Sequence, residues 1–390
     1  MNSTRKICFV TGNRSDFGIL KSLIKLVDID IDLELQLLVT GAHLSPEHGD
    51  TMSEIIDAGL TITDTVELQI SGNTAVSTLK SLGLGIISFS DSLKRLNPNV
   101  VVVLGDRYEI LAAAICASTL QIPVCHISGG EVTAGAIDDW IRHAITKLSW
   151  LHFPATKEYG DRVRQLGEDW NRIYVLGDPT MDHLDQINRE TINPIKEELN
   201  IPQDKKIFAV TLHSETNSTV TPSNLACNLL SALDDLKDYF FVFTAPNPDH
   251  GGMIISVEIR NWLKMNPTRG CFHESLGQSR YMRLLKASSG VIGNSSSGIV
   301  EAPALKTPTL NIGSRQSGRI RSSSIIDVGN STEEIKSGLL KIVSTSFLEG
   351  KASWTSAYGE PGASRRIYEV IKSYDFPKSL LKEFNDNSAL

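Results

Sequence analysis

The chain has 390 residues, of which 41% are hydrophobic and 21% charged, with a formal net charge of -7. That length exceeds one ordinary core and suits two domains. The acidic balance argues against nucleic acid as a partner and leaves a phosphorylated small molecule open.

From the N-terminus, KICFV (6–10) is a short apolar run ended by Thr-Gly, the pattern of a buried parallel strand. SDFGILKSLIKLV (15–27) has its apolar residues at helical spacing. LELQLLVTG, VVVVLGD (100–106), IPVCHIS (122–128), LHFPAT (151–156) and RIYVLGD (172–178) repeat the strand theme, with ILAAAICASTL (110–120) as one of the helices between them. After Pro179 the cycle restarts. IFAVTLH (207–213), YFFVFTAP (239–246), GCFHES (270–275), GVIGN (290–294) and TPTLNIG (307–313) are strands, and SNLACNLLSALDDL, VEIRNWLKM and RYMRLLKASS are helices. Alternating strands and helices mean parallel sheets covered on both faces. The chain therefore reads as α/β, with two doubly wound, Rossmann-like domains. The expected boundaries are 1–180 and 181–361, with a C-terminal helix at about 362–390 packing back on the first domain.

The start, MNSTRKICFVTG, is too short in apolar residues for a signal peptide, and no apolar run approaches the roughly 18–20 residues that span a bilayer. The five cysteines include no Cys-x-x-Cys pair, and Cys8, Cys116 and Cys125 lie in apolar runs as reduced thiols do. These features predict a cytoplasmic protein with no membrane partner.

In doubly wound sheets ligands bind beyond the carboxyl ends of the strands. The polar residues gather there. Arg14, Ser15 and Asp16 follow the first strand, Asp106 and Arg107 follow VVVVL, and Glu131 follows CHIS and two glycines. In the second half His213, Asn247, Asn294, Ser295, Ser296, Arg315 and Arg319 hold matching places. GNSSSGIVEAP (293–303) reads as a strand, a serine turn and a helix start, a phosphate cradle of hydroxyls and free amides. Glu301, one turn on, suits a ribose diol. Arg14, Arg107, Arg315 and Arg319 suit phosphate oxygens. Asp106, Glu131, Asp138, Asp139 and His213 are acid/base candidates. Asp138–Arg142 and Asp139–His143 are each four apart, which predicts pairing within one helix. No His pair has metal-ligand spacing and no G-x-G-x-x-G follows the first strand, so neither metal nor nicotinamide cofactor is expected.

GNRSDFG, GDRYE, GGEVTAGAIDDWIRHAITKLS, LHSETN, GNSSSGIVEAP and NIGSRQSGR occur in this order. Together they resemble the hydrolysing UDP-N-acetylglucosamine 2-epimerases, over about residues 6–327. The resemblance implies the GT-B fold, two Rossmann-like domains with a UDP-sugar in the cleft between them. It implies conversion of UDP-N-acetylglucosamine and water to UDP and N-acetylmannosamine, the entry to sialic acid. A close subfamily acts on UDP-diacetylbacillosamine for legionaminic acid, and the loop VTAGAI (132–137) has the longer bacterial form, so both sugars stay open. The resemblance places Ser295, Ser296 and Arg14 on the diphosphate and Glu301 on the ribose. It sets Asp106, Glu131 and His213 around the sugar, with Asp138 or Asp139 nearby. It also suggests a homodimer or homotetramer.

Overall fold

The computed structural model describes residues 4–44, 51–68, 74–132, 138–184, 187, 194–215, 220–246 and 251–386. The chain groups into two compact units: Met1–Glu131 with Ile137–Asp182 and Tyr358–Leu390, and Val132–Ala136 with His183–Ala357.

In the first unit, strands β1 (Arg5–Thr11), β2 (Leu33–Thr40), β3 (Asp64–Val66), β4 (Val100–Leu104), β5 (Val124–Ile127) and β6 (Leu151–Phe153) form one sheet in the order β3-β2-β1-β4-β5-β6. All pairings are parallel. Every residue of β4 is buried, which is why its sequence is a continuous Val-Leu run rather than an alternation. The helix Arg14–Asp28 starts at Asn13, whose side chain accepts from the Asp16 amide, and buries Phe17, Leu20, Leu23, Ile24 and Val27 on one face.

The chain returns to this unit at its end. Helix Ala363–Ser373 packs Ile367, Tyr368 and Ile371 into the same apolar cluster as Phe17 and Leu20. Its first amides are capped from a distance in sequence: the Asp182 carboxylate accepts from Gly362, Ala363 and Ser364 at 2.5, 2.9 and 2.8 Å. Beyond it, Lys382 reaches both oxygens of the buried Glu168 at 2.9 Å and donates to the carbonyls of Lys147 and Ser149. Lys147 and His152 complete the Glu168 cluster at 2.6 and 3.0 Å.

In the second unit, β7 (Lys206–Thr211), β8 (Tyr239–Thr244), β9 (Gly270–His273), β10 (Gly290–Gly293), β11 (Thr309–Ile312) and β12 (Ile325–Val328) are again all parallel, in the order β12-β11-β10-β7-β8-β9. Counted from each unit's own first strand, both sheets run third, second, first, fourth, fifth, sixth. This is the doubly wound order whose direction switches between the first and fourth strands. The polar residues singled out above lie at or near those strand ends.

Two details differ from the sequence reading. RIYVLGD makes no strand. It has a 3-10 turn at Trp170–Arg172 and a single bridge from Ile173 to His152, because β6 is a three-residue edge and offers little ladder. Two edge strands, β3 and β12, were not legible, being three and four residues long with a charge in each. Among the described residues no helix is long and apolar enough to cross a membrane. All five cysteines are free.

Candidate active site

In the first unit the chain leaves β4 through Gly105 into Asp106, and leaves β5 through Gly129-Gly130 into Glu131. Since β4 and β5 are neighbours, the two acids emerge side by side. Arg142, on helix Asp138–Leu148, is buried with its side chain only 4% exposed. Its Nη2 pairs with Asp106 Oδ2, and its Nη1 with Glu131 Oε2 at 3.4 Å. Arg142 thus has two partners outside the helix in which the sequence paired it with Asp138. In the same helix His143 Nε2 lies 3.8 Å from Asp139 Oδ2.

His126, on β5, supports the same corner. Its Nε2 lies 2.8 Å from the Gly105 carbonyl and its Nδ1 3.1 Å from Thr146 Oγ1. Burial lowers its pKa to about 3, so the ring is neutral. A carbonyl only accepts, so the single proton sits on Nε2. Asp16 faces the same strand ends. Burial raises its pKa to about 7, against the pull of Arg107, with Glu109 adding to the rise. Its Oδ2 accepts from Asn13 Nδ2 at 2.8 Å.

The arginines of this unit are anchored rather than loose. Arg14 Nε pairs with Glu54 at 2.7 Å, and Arg107 Nε with Glu109 at 2.5 Å. Ser15 is exposed on the first turn of its helix.

In the second unit His213 follows β7. Asn294 follows β10, the neighbouring strand. Asn294 is fully buried, and its side chain holds the His213 backbone. Its own carbonyl accepts from Arg315 Nη1 at 3.2 Å and Gln316 Nε2 at 2.9 Å. The sequence reading sets Asn294 among UDP ligands, and in the structure its amide also braces the His213 backbone. The His213 ring is neutral, its pKa lowered to about 3 by burial and then by Arg315.

The serine turn also departs from expectation. No long helix starts there. Ser296–Gly298 is a 3-10 turn, and Glu301–Ala304 is a helix of only four residues, closed by Lys306 in the left-handed region (φ +55°) with the Thr307 amide on the Ala302 carbonyl at 2.9 Å. Four residues sum to little macrodipole, so the attraction for anions rests on local donors instead. Ser295 Oγ accepts from the Ser297 hydroxyl at 3.0 Å. Ser297 is fixed by Tyr281 Oη at 2.6 Å, and Ser296 is exposed. Glu301 opens the short helix, half-buried. Arg315 and Arg319 lie on the loop after β11, pinned by Glu215, whose Oε1 accepts from the amides of Ser314 and Arg315 at 2.8 Å each. Asn247 lies outside the described residues.

The sequence missed Glu109, Glu215, Tyr281 and the outward role of Arg142. Only Glu215 carried a usable signal, as a carboxylate two residues past a strand end. Among the described residues no three His, Cys, Asp or Glu side chains gather as a metal site. The first unit thus offers paired carboxylates, and the second offers hydroxyl and guanidinium donors beside a neutral imidazole.

A family model described as UDP-N-acetylglucosamine 2-epimerase matches residues 27–372. The GDP/UDP-N,N'-diacetylbacillosamine 2-epimerase (hydrolyzing) of Campylobacter jejuni is 39% identical over 325 residues, covering 83% of this chain and 84% of the relative. The polysialic acid biosynthesis protein P7 of Escherichia coli is 35% identical over 386 residues, 98% of this chain and 97% of the relative. The UDP-N,N'-diacetylbacillosamine 2-epimerase (hydrolyzing) of Legionella pneumophila is 32% identical, with 98% and 99% covered. The crystal structure of UDP-GlcNAc 2-epimerase from Neisseria meningitidis bound to UDP-GlcNAc superposes with a TM-score of 0.81 at 20% identity, over 95% of this chain and 100% of that one. That likeness shows the fold, which is of the GT-B type. The length of the family match and the identities above establish that this chain belongs to the UDP-N-acetylglucosamine 2-epimerase family.

Proposed function

We propose that the protein is a hydrolysing UDP-N-acetylglucosamine 2-epimerase, releasing UDP and N-acetylmannosamine for sialic-acid-type sugars. The observation that carries the chemistry is the pair of carboxylates, Asp106 and Glu131, held on the single buried guanidinium of Arg142.

The hydrogen on carbon 2 of the sugar is not beside a carbonyl, so its direct removal is hard. Breaking the anomeric C–O bond first expels UDP and leaves positive charge on the ring, which a carboxylate stabilises. A carboxylate then takes the carbon 2 proton, giving a 1,2-unsaturated glycal. Water adds across that bond, hydroxyl to carbon 1 and a proton to the opposite face of carbon 2. Two faces need two proton-transfer groups. Asp106, Glu131, Asp138, Asp139 and His213 are the candidates, and the neutral ring of His213 can accept or relay a proton as an imidazolium could not. Ser295, Ser296, Arg315, Arg319, Arg14 and Arg107 are assigned to the diphosphate, and Glu301 to the ribose. Asn294 is assigned to holding His213. No cofactor enters the scheme. The cytoplasmic location and the homodimer or homotetramer belong to this proposal, and light scattering measures the latter.

A second sugar has a specific observation behind it. Two relatives, at 39% and 32% identity, are named for N,N'-diacetylbacillosamine. UDP-N-acetylglucosamine and UDP-N,N'-diacetylbacillosamine, offered side by side without acceptor, decide between them by kcat/KM. Free sugar plus UDP from either supports hydrolysis. Transfer to an added acceptor, with none released to water, overturns it.

A further inference from the structure

Glu109 is the most deeply placed carboxylate near these strand ends, and nothing above gives it a role. It is the second residue of helix Tyr108–Thr119 and is 0% exposed. An acid in a first turn gains from the helix dipole at the surface, yet this one points inward. One oxygen, Oε1, accepts from Arg107 Nε at 2.5 Å. The other, Oε2, is buried with no hydrogen-bond partner among the described residues. A half-satisfied buried carboxylate is a poor device for stability, since its desolvation is only partly offset.

Two glycines make room for it. A Cβ on Gly12, just past β1, would lie 2.8 Å from both Glu109 Cγ and Oε1. A Cβ on Gly41, just past β2 and at φ +59°, would lie 2.7 Å from the Gly12 carbonyl oxygen and 3.3 Å from Glu109 Oε1. The ends of both strands are thus shaped around this one carboxylate.

Its partner is disposed the opposite way. The Arg107 side chain is 45% exposed, and among the described residues its terminal nitrogens make no hydrogen bond. A guanidinium tied by Nε presents its Nη1–Nη2 edge in a fixed direction, the edge that meets a phosphate in a fork. A free arginine loses rotamer freedom on binding, and an anchored one has already lost it.

We propose that Glu109 is a positioning residue that orients Arg107, so that its fork meets the charged oxygens of the UDP diphosphate. The proposal rests on the functional reading above. It separates two carboxylate tasks at one strand end: Asp106 faces the sugar chemistry, and Glu109, three residues on, works behind Arg107.

The test is a double-mutant cycle read in UDP affinity by calorimetry, with KM and kcat alongside. Arg107→Ala is expected to weaken UDP binding by about tenfold or more, as loss of a charge-assisted contact does. Glu109→Ala is expected to weaken it by a similar factor and to raise KM with little change in kcat. In the Arg107→Ala background, Glu109→Ala is expected to cost nothing further. Glu109→Gln, whose amide oxygen still accepts from Nε, is expected to stay within about threefold of the parent. If Glu109→Ala does not fold, Gly12→Ala crowds the same carboxylate, and its loss of affinity is expected to vanish in the Arg107→Ala background. Equal losses with and without Arg107, or no loss at all, overturn the proposal and make Glu109 a structural brace. A parent protein that does not bind UDP overturns the functional reading and this proposal together. Coupled losses in UDP affinity without turnover of any UDP-sugar support the proposal and overturn the functional reading alone.

Discussion

Asn294 grips His213 by both of its backbone groups: Oδ1 accepts from the His213 amide at 2.6 Å, and Nδ2 donates to its carbonyl at 2.9 Å. The imidazole therefore projects from a segment tied to the adjacent strand. Asn294→Asp keeps the acceptor and loses the donor. It is expected to lose the hydrogen bond to the His213 carbonyl at a cost of about 1 kcal/mol, and to lower kcat by displacing the ring. Thermal unfolding and steady-state kinetics on one preparation check both effects. A variant with parental kcat would show that the grip serves stability alone.

His213→Asn is expected to fold normally and to reduce turnover by at least roughly a hundredfold, the scale of a lost acid/base group. Running the parent in deuterium oxide should place deuterium at carbon 2 of the released sugar. Release of unlabelled sugar would exclude abstraction at that carbon.

Arg142→Met removes a cation that pairs with both Asp106 and Glu131. Breaking a buried ion pair from one side costs about 3–5 kcal/mol, so a clear fall in the denaturation midpoint is expected. Adding Asp106→Asn and Glu131→Gln to that variant should recover much of the loss without restoring activity. No recovery would mean that Arg142 stabilises the fold by packing.

Glu301→Ala is expected to raise the Kd for UDP more than it lowers kcat, because a ribose contact acts alike in ground and transition states. Unchanged KM with collapsed kcat would remove Glu301 from the ribose.

Stability should fall with acid. His43, His126 and His213 are neutral in the fold, with pKa values lowered by burial to about 4, 3 and 3. Unfolded, each binds a proton below about pH 6.5, so the unfolded state gains protons that the native state lacks. Each histidine then costs about 1.4 kcal/mol per pH unit between 6.5 and its folded value. Asp16, raised to about 7, works the other way, since the native carboxyl keeps a proton that the unfolded one releases above about pH 4. These four groups alone leave a loss of about 3 kcal/mol per unit from pH 6.5 towards 4, and His143, His152 and His273, also lowered by burial, act in the same direction. Urea midpoints at pH 6.5 and 5 measure it. His126→Gln should flatten the slope by one histidine's share, and a midpoint that rises on acidification would contradict the assignment of neutral rings.

The fold was legible because buried parallel strands write themselves as unbroken runs such as VVVVL and YFFVFT, and because several of them, VVVVL among them, end in Gly, Asp or Asn where the chain turns off. Asp106, Glu131 and His213 were legible as candidates for the same reason, since a strand end fixes where the next residue emerges. What stayed hidden depends on contacts across strands. Arg142 looked like a helix-surface partner of Asp138 because spacing along one helix is readable and distance between β4 and helix Asp138–Leu148 is not. Glu109 looked like an ordinary first-turn acid, and the glycines that shape its space lie 97 and 68 residues earlier in the chain. The serine turn misled in the other direction. GNSSSGIVEAP has the composition of a helix start, and the left-handed turn at Lys306 reduces that helix to a single turn.

The Lys382–Glu168 contact sets an order of events during synthesis. The second unit ends at Ala357, and the first still lacks helix Ala363–Ser373 and Lys382, which joins Lys147 on Glu168. A ribosome delivering this chain from its N-terminus presents every strand of the first sheet early and its closing helix last. Folding of domains usually follows emergence, but here the later unit is the first to have all its parts. Until the helix ending at Ser373 has been made, the earlier unit has the Ile367, Tyr368 and Ile371 side of its core open. A chain stopped at Ala357 is expected to hold a complete second unit beside a first unit with an exposed apolar face.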